Sequence, residues 1–155
     1  MTMTTFAYLP VPATDLERIR RNGHDDQGNT LVPRDASAGL PLRCCLTLSR
    51  AGERVAPIAY RPSALGGPYA ETGPVFVHAE DCGGPASTSS YPAEFVNRRA
   101  VLRPYDAQGL MLDGFVSEPG EGETGLKQLF DDPRVALVHH RNLVAGCWNF
   151  SVRRA

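Results

Sequence analysis

Hydrophobic positions along the chain fall into short runs broken by glycine and proline, and few of them form a helical stripe. Fifteen glycines and thirteen prolines cut the sequence into segments of strand length joined by turns. An early helix is the exception: Thr14 can cap the run "DLERIRR", Asp15 and Glu17 suit the positive end of the helix dipole, and Asn22-Gly23 marks the stop. The polar stretch "HDDQGNTLVPRDASAGLP" reads as a loop with one extended piece at Thr30 to Val32. In "LRCCLTL" the alternation puts Leu42, Cys44, Leu46 and Leu48 on one face and Arg43, Cys45 and Thr47 on the other, which predicts a half-buried strand. On such a strand the adjacent cysteines point apart and do not form one local site.

Further strands are predicted in "ERVAPIAYRP", where Pro57 calls for an edge or a bulge, and in Pro74 to Glu80. "SALGGPYAETG" and "CGGPASTSSYP" are loops, and a short helix fits Ala93 to Arg98. "AVLRPYDAQGLMLDGFVS" reads as two strands around a turn at Asp106 to Gly109. In "GETGLKQLFDDP", Leu126, Leu129 and Phe130 make the stripe of a short amphipathic helix. "RVALVHHRN" and "CWNFSVRR" close the chain as a strand pair joined by "LVAG", with Trp148, Phe150 and Val152 on one apolar face. Strand pairs with short turns and separate helices define an α+β class: a mainly antiparallel twisted sheet with two or three short helices.

The length of 155 residues sets a single domain over 1–155. A formal charge of −1 gives no global field toward phosphate backbones or anionic lipid, so neither nucleic acid nor membrane is an expected partner. The start "MTMTTFAYLPVPATDLERIRR" lacks the basic and apolar regions of a secretory signal, and no apolar run approaches the roughly 20 residues of a membrane-spanning helix. The expected location is cytoplasmic, and there Cys44, Cys45, Cys82 and Cys147 are reduced thiols.

Several separated stretches are familiar as a set: "LPLRCCLTLSRAGERVAPIAYRP", "GGPYAETGPVFVHAEDC", "VLRPYDAQGLMLDG" and "DPRVALVHHRNLVAGCWNFSVRR". From about Leu40 onward the chain resembles the bacterial domain of unknown function 1203 (DUF1203). The resemblance implies one small bacterial domain and carries over no activity and no catalytic residues.

The stretch "GPVFVHAEDCGG" holds the leading candidate site. Strand alternation turns Val75 and Val77 toward the core and puts Phe76, His78, Glu80 and Cys82 on the opposite face. Three readings follow. A binder of a small polar or anionic molecule would use Arg43, Tyr69, His78 and His139, because arginine offers a two-pronged fork to carboxylate or phosphate. An enzyme, the runner-up, would use Cys82 or Cys45 as a thiolate nucleophile assisted by His78. A non-catalytic module would either bind metal or pair exposed strands into a homodimer. No metal site is favoured, since neither a CxxC nor an HExxH spacing is present; the residues that would suit zinc are His78, Cys82, His139 and Cys147. His139 and His140 point to opposite faces, and strand register decides which one approaches Cys147.

Overall fold

The computed structural model describes residues 3–62 and 66–155. Among these described residues, ten strands form two five-stranded sheets. The first sheet contains β1 (Phe6–Leu9), β7 (Ala100–Tyr105), β8 (Phe115–Ser117), β9 (Leu137–Asn142) and β10 (Trp148–Arg154), in the order β1-β10-β9-β7-β8 and antiparallel throughout. The second contains β2 (Arg34–Asp35), β3 (Pro41–Leu42), β4 (Thr47–Leu48), β5 (Arg54–Tyr60) and β6 (Gly73–His78), in the order β2-β5-β6-β3-β4. Its one parallel pair is β3 against β6. Two helices, α1 (Ala13–Asn22) and α2 (Gly122–Phe130), and a single 3-10 turn at Ala93–Phe95 complete the α+β fold. No helix among the described residues is long and apolar enough to cross a membrane.

α1 begins one residue before the expected cap: Pro12 precedes it and no side chain caps it. A proline there sets φ for helix entry without losing a needed donor. The helix stops where the sequence indicated, because Gly23 adopts φ +73° and returns its N–H to the carbonyl of Ile19. The strand expected at Pro74 ends at His78, and Val75 and Val77 face the core as alternation required. Pro57 lies opposite Phe76, while β2 covers only Arg54 and Val55 on the other side, so the proline occupies a free edge. The loop expected over "SALGGPYAETG" falls in part, at 63–65, outside the described residues.

Three expectations need correction. The extended piece placed at Thr30 to Val32 amounts to one isolated bridge, His24 to Thr30, and the short strand lies further on at Arg34–Asp35. "LRCCLTL" is not a strand but a tight hairpin. β3 and β4 pair Pro41 with Leu48 and Leu42 with Thr47, and residues 43–46 make the turn. Leu46 closes it at φ +58°, a conformation costing a non-glycine residue on the order of 1 kcal/mol. The buried Leu46 side chain holds it there. Finally, Trp148 does not share a face with Phe150 and Val152. A bulge at Asn149 shifts the register from Trp148 opposite Arg141 to Phe150 opposite His140, which turns the indole to the other side of the sheet.

That bulge lets the last strand feed both cores. Trp148 packs with Val55, Ile58, Val75, Val77 and the α1 residues Leu16 and Ile19. Phe150 and Val152 pack with Phe6, Tyr8, Phe95, Leu102, Leu126 and Phe130.

Candidate metal and thiol site

Topology brings the site together. β3 and β6 are parallel, so both reach their C-terminal ends on the same side of the sheet, and β5, antiparallel to β6, begins there. The turn after β3 therefore delivers Cys44 and Cys45, the end of β6 delivers His78, the loop beyond it delivers Cys82, and the residue before β5 is Glu53. The Arg43 N–H bonds the Phe76 carbonyl at 3.0 Å and the His78 N–H donates to Cys44 Sγ at 3.2 Å, extending the parallel ladder into the turn.

The ligand-type atoms of Cys44, Cys45, His78 and Cys82 all lie within 4.8 Å of one another. Cys44 Sγ is 3.4 Å and Cys45 Sγ 3.7 Å from His78 Nδ1, and the two sulfurs are 3.9 Å apart. On the far side of the ring, Nε2 is 2.5 Å from the Glu53 carboxylate. The Arg50 N–H and His78 hold Glu53 below the usual carboxylate range, so the carboxylate is ionised and accepts. The Nε2–H therefore donates to Glu53, and Nδ1 faces the two sulfurs.

The cysteine pair is electrostatically uneven. Cys45 is pushed down to about 5, chiefly by the hydrogen bond it receives from Cys44, with further help from Thr47, whose hydroxyl is 3.0 Å away, against the opposing effect of burial. Cys44, as the donor and more deeply buried, is held above the ordinary thiol range. Of the two, Cys45 is the thiol the surroundings favour as thiolate and Cys44 the one they favour as the protonated donor.

Three clefts meet at this cluster. One of about 460 Å³ runs between α1 and the Asp81 to Pro85 loop and reaches Cys44 and Cys82. A recess of about 220 Å³ exposes His78 and Cys82 beside Glu53, and a third cleft of about 270 Å³ reaches Cys45 and Thr47. Cys82 is the most accessible thiol of the group.

Of the residues singled out in the sequence, His78, Cys82 and Cys45 come together. Cys44 joins them, although the strand reading had separated it from Cys45; because a turn carries both thiols, they converge. The other candidates lie elsewhere. Arg43 is buried and its guanidinium is spent on backbone, Nε on the Trp148 carbonyl at 2.8 Å and Nη1 on Pro41 at 2.6 Å. Burial pushes it down to about 10. Tyr69 is exposed and sits edge-on to Tyr105, whose ring centroid is 4.9 Å from that of His139. His139 is 3% exposed, neither ring nitrogen has a partner among the described residues, and burial with the nearby Arg141 and Arg103 pushes it down to about 3. Neither histidine approaches Cys147, because the bulge places His140 beneath Phe150 and Cys147 remains on the β9–β10 turn, its sulfur near the Ala145 carbonyl. The quartet His78, Cys82, His139 and Cys147 therefore does not come together: His78 and Cys82 join Cys44 and Cys45 in a group that could hold a metal ion. Glu53 was missed, since nothing in "AGERVAPIAY" marks it apart from other exposed acids.

A family model described as a protein of unknown function (DUF1203) matches residues 39–154. No curated protein and no solved structure matches the chain.

Proposed function

Since the chain belongs to DUF1203, a family that brings no activity with it, function has to be read from the side chains themselves, and we propose that this is a zinc-binding protein with a Cys3His centre formed by Cys44, Cys45, Cys82 and His78. The observation that carries the reading is the spacing of the ligand atoms. A tetrahedral zinc with bonds of about 2.3 Å to sulfur and about 2.0 Å to nitrogen spaces its ligand atoms about 3.5 to 3.8 Å apart. The separations of 3.4, 3.7 and 3.9 Å among Cys44, Cys45 and His78 span that range, and Cys82 Sγ lies within 4.8 Å of all three ligand atoms. The surroundings support it as well: metal-bound histidines donate their second N–H to a carboxylate, as His78 does to Glu53, and thiolate ligands accept N–H bonds, as Cys44 does from His78. Soft thiolates with imidazole select zinc over magnesium or calcium. All four cysteines are free thiols, in keeping with a reducing, cytoplasmic setting.

Metal analysis of protein purified without added zinc tests the reading. The expected result is one zinc per chain, and cobalt substitution should give the thiolate-to-cobalt charge-transfer band of a tetrahedral sulfur site. Sub-stoichiometric metal together with a cobalt spectrum lacking that band overturns it.

A second reading has its own observation. Cys45, His78 and Glu53 form a continuous thiol–imidazole–carboxylate series, the order used by cysteine nucleophiles. His78 cannot give Nδ1 to both roles at once, so the metal analysis separates them: a metal-free protein in which Cys45 alone reacts rapidly with iodoacetamide would favour the enzyme. The four residues of an anion site, Arg43, Tyr69, His78 and His139, do not share a cleft and give that reading no geometric support.

A further inference from the structure

A zinc held by four protein ligands has no open position for water, so the reactive groups of such a centre are its own thiolates. Resting on the Cys3His reading, we propose that Cys82 is a zinc-activated nucleophile that takes an alkyl group from a small apolar electrophile bound in the cleft beneath α1. Three thiolates and one neutral imidazole outweigh the two positive charges of zinc, and the sulfurs keep nucleophilic electron density at neutral pH.

The three sulfurs are not equivalent. Cys44 Sγ accepts the His78 N–H and Cys45 Sγ is paired with the Thr47 hydroxyl, and each such bond draws charge off its sulfur. No hydrogen bond reaches Cys82 Sγ among the described residues. Cys44 and Cys45 are 1% and 8% exposed, whereas Cys82 is exposed and lines both the large cleft and the open recess. Charge and access therefore select the same sulfur.

The large cleft indicates the substrate class. Its walls carry Pro10, Val11, Ala13, Leu16 and Pro85, which match an alkyl group, while Glu17, Arg20 and Asp81 form the polar part of the lining. Arg20 lines the same cleft, donating from Nη2 to the His78 carbonyl at 2.9 Å, while its Nε–H is buried without a partner. The guanidinium is thus a cationic group lining the same cleft as Cys82, where it can attract a departing anion. In the transfer, the Cys82 thiolate forms a sulfur–carbon bond with its own electron pair, the carbon–leaving-group bond breaks, and the leaving group departs with that bond's pair. No proton, oxidant or reductant is required, and the product is a Cys82 thioether.

The test uses the zinc-loaded full chain, methyl iodide as the probe, and peptide mapping by mass spectrometry, with zinc measured on the same sample. Cys147, accessible but outside the cluster, is the internal standard. Cys82 is expected to be methylated at least about tenfold faster than Cys147, with Cys44 and Cys45 unmodified. Cys147→Ser should keep the fast phase and Cys82→Ser should lose it; where Cys82→Ser fails to fold, mapping of the wild type and of Cys147→Ser decides. Methylation of Cys147 as fast as Cys82, or a first methyl on Cys44 or Cys45, in a sample that holds zinc overturns the nucleophile alone. A sample that holds no zinc overturns the metal centre on which it rests.

Discussion

Removing Glu53 tests whether the imidazole is oriented for a metal. The carboxylate receives the His78 Nε2–H at 2.5 Å and the Arg50 N–H at 2.5 Å, and its side chain is 32% exposed. Glu53→Ala thus deletes the group that fixes the ring and its tautomer without opening a buried cavity. Carboxylates that support a metal-bound histidine contribute about 10- to 100-fold in affinity, which is about 1.4 to 2.7 kcal/mol. The hydrogen bonds lost from the metal-free fold lie near the surface and contribute about 1 kcal/mol or less. Glu53→Gln keeps an oxygen to accept from Nε2 and loses only charge, so it should sit at the mild end, near tenfold or below. Zinc competition against a chromophoric chelator at fixed pH measures the first quantity, and thermal unfolding of chelator-treated protein measures the second. Binding by Glu53→Ala within about twofold of wild type would refute the reasoning, as would a metal-free melting point that falls as far as the zinc-loaded one.

Three further outcomes are expected. Cys44→Ser should weaken zinc binding and Cys147→Ser should not, since only Cys44 lies in the cluster; equal loss in the same chelator competition would show that the thiols act through folding alone. Gly125→Ala sets a Cβ 2.7 Å from the Phe115 ring and 3.3 Å from Leu102 Cδ1, an overpacking cost of about 1 to 3 kcal/mol, and an unchanged urea midpoint would contradict it. Burial, with Arg141 and Arg103 near His139 and Arg98 near His140, pushes both histidines down to about 3, against about 6.5 in an unfolded chain. Below pH 6.5 the unfolded chain takes up protons that the native state refuses. Stability of the metal-free protein should therefore hold above about pH 7 and fall from about 6.5 toward 3; a His139→Phe variant should show a shallower decline in its urea midpoints, and an unchanged slope would refute the assignment.

The sequence announced elements wherever one local signal dominated. Gly23 ended α1, the Leu126, Leu129, Phe130 spacing produced α2, and Val75 with Val77 fixed the core face of β6. The turn at 43–46 was invisible for a physical reason. Its left-handed position is occupied by Leu46, held there by tertiary packing, so no glycine or asparagine interrupted the alternation that suggested a strand. The bulge at Asn149 was equally silent and reversed the face of Trp148. Half of the candidate cluster, His78 with Cys82, was legible because it lies within five residues. The other half depended on β3 pairing parallel with β6, with β4 and β5 between them in sequence, a non-local choice that periodicity does not encode. β1 went unread, since its four residues give too short a pattern to separate from the prolines that follow.

Leu46 also determines how far an event at the thiols is felt. Its side chain lies in the core of the first sheet with Phe6, Tyr8 and Phe150, while Cys44 and Cys45, two and one residues earlier, lie in the core of the second. The turn is thus a rivet through both layers, not a loop hung on one of them. Fixing its sulfurs should slow amide hydrogen exchange in β6 and in the β1–β10 pair together, so that occupancy at one corner is registered as breathing suppressed across both sheets.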